Sequence, residues 1–178
     1  MFSVSIGDNL KLVPAELSLV EAIYAEADRS RATLVPWMPW AENNSIEGTR
    51  TWVRLSMEQW ARGDGFQAVI LERGVVAGVV GYVYARGGRG ELGYWLGEAF
   101  RGRGIMTRAV RFMMEDAHTR LKIHRMEVRC HLDNAPSRAV PIRLGIPQEA
   151  VLRGWLGEKG GRHDIALYAR IATDPWGV

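Results

Sequence analysis

Apolar positions along the chain fall into blocks whose spacing switches between the two periods of regular secondary structure. Residues 10–14 read as a short strand, and 15–28 then carry helical spacing in Leu17, Val20, Ile23, Tyr24 and Ala27. The segment Leu34-Val-Pro-Trp-Met-Pro-Trp40 cannot be regular helix, because each proline restricts its predecessor to extended geometry. A second helix is predicted over 46–62, ending at Gly63. The period then changes. Residues 66–72, 75–85 and 91–97 are strand-like, separated by Arg73-Gly74 and by Arg86-Gly-Gly-Arg-Gly90. Residues 104–120 return to helical spacing, with Ile105, Ala109, Phe112, Met113 and Ala117 on one face. A strand over 125–132 sets Met126, Val128, Cys130 and Leu132 on one side. A short helix at 134–144 and two strands near 148–157 and 163–172 close the chain.

The order is therefore strand, two helices, three strands, helix, strand, helix, two strands. Two tight connections in a row predict an antiparallel meander, and the strand-helix-strand crossover near 91–132 supplies one parallel step. The expected class is mixed α/β: a central, mostly antiparallel sheet flanked by helices. No internal repeat, low-complexity segment or linker interrupts the 178 residues, so 1–178 reads as one domain. A chain of this length buries roughly 70% of its unfolded surface and needs neither disulfide nor structural metal.

Charge narrows the partners. The formal net charge is only +3, too little to imply DNA or another nucleic acid without clustering. Arg101, Arg103, Arg108 and Arg111 do cluster in an acid-free stretch, which suits a ligand with a few phosphates better than a polymer with many. The single cysteine, Cys130, excludes an internal disulfide and points to a reducing compartment. The N-terminal apolar residues are interrupted by Asp8, Asn9 and Lys11 and do not read as a signal peptide. No apolar run approaches the ~18 residues needed to span a bilayer, so the expectation is a cytoplasmic protein with no membrane partner.

The most informative stretch is Glu91-Leu-Gly-Tyr-Trp-Leu-Gly-Glu-Ala-Phe-Arg-Gly-Arg-Gly-Ile-Met-Thr107. A strand ends, Gly102 and Gly104 bracket an arginine, and an amphipathic helix begins. Successive N–H groups there face one concavity, and the helix N-terminus adds about half a positive charge. Arg101 and Arg103 add formal charge. An ordinary Gly-rich turn would explain a lone GxG, but here the strand-turn-helix context and the local charge agree on a pyrophosphate cradle. It is not a Walker A loop, since GxxxxGK[ST] is absent, and it lacks the third glycine of a dinucleotide fingerprint.

These residues resemble the GNAT acetyltransferases and, within them, the bacterial Rim-type enzymes that modify N-termini of ribosomal proteins. The likeness spans nearly the whole chain. It rests on Leu34 to Trp40, Glu91 to Leu96, Arg101 to Met106, Asn134-Ala-Pro-Ser137 with Leu144-Gly145, Glu149 to Arg153, and Asp164 to Tyr168. The resemblance implies splayed middle strands, with acetyl-CoA entering between the strand at 91–97 and that at 125–132. It implies that Gly102, Arg103, Gly104, Ile105, Met106 and Thr107, with Arg101, grip the pyrophosphate. A bulge near Tyr94, Trp95 and Leu96 would aim an N–H at the thioester oxygen, and Asn134 and Ser137 would lie beside the pantetheine and thiol. Four departures stand out. Met106 replaces a usual Gly or Ala, Pro141 stands where many relatives carry a thiolate-protonating tyrosine, Ile146 replaces a common Phe, and Arg108 stands where Rim-type proteins often have Glu.

The implied reaction is attack of a neutral amine on the thioester. An α-amine with pKa near 7.8 is roughly 10–15% neutral at pH 7, against less than about 0.1% for a lysine. Glu91 is the first candidate for the base, through water, and Glu158, in a glycine-rich loop, is the second; either is otherwise a solvated carboxylate. Ser137 is a candidate proton donor to the thiolate or, alternatively, helix-cap chemistry beside Asn134. Trp37 and Trp40 either wall the acceptor pocket or pack under the loop or in the contact of a homodimer. Cys130 reads as a buried structural thiol, and the histidines show no metal-ligand spacing. Three acceptor classes remain: a protein N-terminus, a small amine such as an aminoglycoside or polyamine, or none, in a non-catalytic CoA- or RNA-binding module.

Overall fold

In the computed structural model, residues 3–85, 88–157 and 161–176 are described. Strands β1 (Val4–Gly7) and β2 (Leu10–Pro14) form a hairpin that turns at Asp8 and Asn9, the latter at φ 60°. The sequence reading caught only β2. Four residues interrupted by a serine give too little alternation to register, and β1 owes its place to pairing with β2. Helix α1 (Val20–Arg29) follows a 3-10 turn and runs into a single turn, α2 (Arg31–Leu34). The proline segment then leaves the helix, as expected, apart from a 3-10 turn at Pro39–Ala41. Helix α3 (Ile46–Ala61) starts on a Ser45 cap, whose hydroxyl accepts from the Gly48 N–H at 3.1 Å, and stops before Gly63 at φ 73°.

Strands β3 (Gly65–Glu72), β4 (Val75–Ala85) and β5 (Arg89–Leu96) form the expected meander. Of the Arg86 to Gly90 connection, Arg86 and Gly87 lie outside the described residues, and Ala85 pairs with Arg89 across it. A 3-10 turn at Glu98–Phe100 leads to α4 (Ile105–Thr119), then β6 (Arg125–His131), α5 (Ala135–Arg143), β7 (Gln148–Leu156) and β8 (Arg162–Ile171). The sheet order is β1-β2-β3-β4-β5-β6-β8-β7, antiparallel throughout except for β5 beside β6. This is the mixed α/β, mostly antiparallel architecture that the periodicity predicts.

Two cores hold it. Ile105, Ala109, Met113 and Ala117 of α4 pack with Met126, Val128 and Cys130 of β6 on one face. Val20, Ile23 and Ala27 of α1 and Val53 of α3 pack with Val69, Val79 and Trp95 on the other. The feature that creates a site is where pairing stops. β5 and β6 are matched only from Arg89↔Arg125 to Leu92↔Val128, while β5 runs on to Leu96 and β6 to His131. Beyond that point β5 stays with β4 and β6 stays with β8, so the sheet opens between them. The bulge expected at Tyr94 to Leu96 is absent: the β4–β5 register is unbroken from Arg89 to Leu96. Divergence of the two half-sheets, not an inserted residue, frees the edge of β5.

Candidate active site

The opened edge presents polar backbone. Gly97 donates to Ala77 O at 2.8 Å, and the Trp95 carbonyl lies over Gly78, so both peptide groups face β4. Successive peptide groups alternate along a strand, which turns the N–H groups of Tyr94 and Leu96 toward the gap. The carbonyl of Leu96, on that same side, accepts from the Arg101 guanidinium at 3.4 Å.

Below the gap, Gly102 (φ 74°) and Gly104 (φ 68°) take left-handed conformations that a side chain would strain, and nothing lies within 4 Å of where their Cβ atoms would be. The first turn of α4 has no side-chain cap and no acidic residue, leaving its N–H groups without a local side-chain acceptor. Arg101 is held over the turn by Thr33 Oγ1 at 2.9 Å. Arg103 is not: its guanidinium turns to β3 and pairs with Glu72.

A cavity of about 320 Å³ runs from this turn to α5. Of the donor-side residues singled out in the sequence, Trp95, Leu96, Arg101, Gly102, Gly104, Ile105, Met106, Thr107, Asn134 and Ser137 all line it, and Arg103 alone does not. Trp37 also lines this cavity, with its ring edge-on to His131 at 5.8 Å. It is therefore separated from Trp40, with which the sequence grouped it.

Trp40 lines a second cavity, of about 550 Å³, on the α1/α3 side of β5, with its ring 6.1 Å from that of Trp95. Strand alternation turns Glu91, Gly93 and Trp95 of β5 into this space. Among the described residues Glu91 is its single charged lining residue; the carboxylate is partly exposed and lies 3.4 Å from Arg129 Nη1. Arg129 in turn bonds the buried Glu127 at 2.9 Å, so Glu91 hangs from an anchored cation. Glu158 lies outside the described residues.

The two cavities share Met38, Tyr94 and Trp95. The sequence assigns Tyr94 only a place in the backbone bulge and gives its side chain no chemistry. Its hydroxyl donates to the Ser137 carbonyl at 2.9 Å and accepts from Ser137 Oγ at 3.4 Å. Burial holds its phenol well above the ordinary range, so it keeps its proton at neutral pH. The only signal for it was alternation, which puts Tyr94 with Leu92 and Leu96 on the α4/α5 side. Asn134 is the cap of α5, its Oδ1 accepting from the Ser137 N–H at 3.1 Å; Ser137 joins the cap through its backbone N–H, while its hydroxyl lies against the buried Cys130 thiol, which burial pushes up in pKa. Among the described residues, no group of His, Cys, Asp or Glu is placed to hold a metal ion, and no helix is long and apolar enough to cross a membrane.

Comparison with known proteins agrees with this geometry. The acetyltransferase (GNAT) domain family matches residues 9–146. A putative ribosomal N-acetyltransferase of Bacillus subtilis is 28% identical over 98% of this chain and 97% of its own length. The ribosomal-protein-serine acetyltransferase of Escherichia coli is 24% identical over 95% and 96% respectively. The solved structure of a ribosomal L7/L12 α-N-protein acetyltransferase in complex with coenzyme A superposes with a TM-score of 0.90 at 28% identity, covering 96% of this chain and 98% of that one. A sheet opened at β5 and β6 above an uncapped glycine turn, in a chain that this domain family matches over most of its length, makes the protein a member of the GNAT family and an acetyl-CoA-dependent N-acetyltransferase.

Proposed function

We propose that the chain is a single acetyltransferase domain that acetylates the N-terminal α-amine of a protein, of the ribosomal-protein kind. Two cavities on opposite faces of β5, meeting at Met38, Tyr94 and Trp95, carry this reading. The first takes acetyl-CoA. Its pyrophosphate lies on the N–H groups of 102–107 with Arg101 alongside, its pantetheine lies against Asn134 and Ser137, and its thioester oxygen faces the free N–H groups of Tyr94 and Leu96.

The second cavity takes the amine. Glu91, acting through water, accepts a proton from the ammonium; the nitrogen then attacks the thioester carbon, and the C–S bond breaks as the tetrahedral intermediate collapses. Tyr94, with Ser137 beside it, supplies a proton to the departing thiolate and regains one from the acylated nitrogen, so that a neutral amide and a free thiol result, filling the role that Pro141 leaves vacant. With a thiol pKa near 8.5 this help is modest.

The lining of the acceptor side argues for the kind of amine. Among the described residues the lining holds one carboxylate amid aromatic and neutral polar groups, which suits an acceptor bringing one positive charge, whereas an aminoglycoside or polyamine calls for several. The relatives described above act on, or are named for, ribosomal proteins. A cytoplasmic location goes with such an acceptor. Peptides beginning with Ser, Ala or Thr should be acetylated at the α-amine, and mass spectrometry of the products checks this. Modification confined to lysine side chains, or turnover only with an aminoglycoside or polyamine, would rule the acceptor out and leave the acetyltransferase intact.

A further inference from the structure

Strand interiors disfavour glycine unless something needs the space, most often a ligand or another backbone in close approach. The centre of the sheet has two facing glycines, Gly81 of β4 and Gly93 of β5, paired across the strands. Gly81 has a reason within the fold: a Cβ there would overlap Gln67 Oε1 and sit 2.8 Å from Phe66 O. Gly93 has none. Its φ lies outside the left-handed region, its register with β4 is unbroken, and nothing lies within 4 Å of a Cβ built on it. It is exposed, lines the larger cavity, and stands between Glu91 and Trp95 on the same face of β5.

We infer that Gly93 is a specificity-determining position: the volume above it receives the first residue of the acceptor, with the amine between Glu91 and the Tyr94–Trp95 junction. The inference rests on the acceptor-side reading above. The Gln67 amide, lying over neighbouring Gly81, forms the polar wall of that volume. A side chain at 93 would fill the acceptor's seat while touching neither the fold nor the first cavity.

The test is a series at one position. Gly93→Ala and Gly93→Val should fold with melting temperatures equal to or above the parent, since both replacements favour strand backbone. Acetyl-CoA affinity, read by calorimetry, should stay within about twofold of the parent, because Gly93 is not part of the donor cavity. Peptide kcat/KM should fall with the size of the introduced side chain, by roughly tenfold or more for Gly93→Val, a displacement of an ångström or so being enough for that. The loss should be steeper for Thr-first than for Gly-first peptides, a change in preference that a purely structural role would not produce. Gly81→Ala is the contrast and should lower the melting temperature. Unchanged peptide kinetics in Gly93→Val, or equal losses for every acceptor together with weakened acetyl-CoA binding, would overturn the assignment. If the parent enzyme turns over only lysines or small amines, the α-amine reading fails, and Gly93 is judged by the same series on the amine that is accepted.

Discussion

At the scale of single residues, the reaction as proposed depends on one carboxylate held in place and one phenol kept protonated within the same cleft. Glu91 is anchored by Arg129, itself bonded to buried Glu127, while Tyr94 is buried and tied to Ser137. Removing the carboxylate tests the first of these roles. Glu91→Gln should lower kcat by about 10²–10⁴ with little change in acetyl-CoA affinity. The deficit should shrink as pH rises toward 9, where an α-amine deprotonates unaided. A pH–rate profile in which the variant matches the parent from pH 6 to 9 would retire Glu91 as the base.

At the scale of elements, the proposed donor end rests on α4 and the turn before it. Two arginines flank Gly102, and the sequence treats them alike, yet one lies over the turn and the other leaves it. Arg101→Ala should weaken acetyl-CoA binding and reduce its salt dependence. Arg103→Ala should change binding far less, since the side chain is engaged in an exposed ion pair with Glu72 away from the turn. Titration of the two variants at two ionic strengths distinguishes them; equal losses would mean that Arg103 swings in when the ligand arrives.

At the scale of the molecule, β5, β6 and β7 are joined by an ionic network on the face opposite α4. Buried Glu127 accepts from Arg125 at 2.8 Å and Arg129 at 2.9 Å, and Arg125 also bonds Glu149 at 3.0 Å. Burial works against the Glu127 charge, but the hydrogen bonds from Arg125 and Arg129 outweigh it and hold the carboxyl below its ordinary range; Arg125 lowers Glu149 likewise. Both folded pKa values lie below the unfolded one, near 4.3. The stabilisation is therefore complete above that value and is lost as pH falls through the folded pKa values. Glu127→Gln should cost about 1–3 kcal/mol at pH 7, under the 3–5 typical of a wholly buried pair because its arginines are partly exposed. Melting curves from pH 7 to 3 should show the variant losing less on acidification than the parent; parallel losses would contradict this.

Much of this protein was legible because it is local. The period of apolar positions is set by φ and ψ, so the meander, α4, β6 and the closing strands could be placed from spacing alone, and so could the glycine turn that leads into α4. What the tertiary structure decided depends on partners distant in the chain. β1 exists through its pairing with β2, the gap opens because β6 follows β8, and Arg103 turns away because Glu72 lies 31 residues earlier. Trp37 and Trp40, three positions apart, enter different cavities because a proline turn separates them. The Tyr94 hydroxyl meets a carbonyl 43 residues downstream, which no spacing within β5 announces. Periodicity reports which face a side chain leaves from; only the packed fold, where non-local contacts outweigh local preference, decides what it meets there.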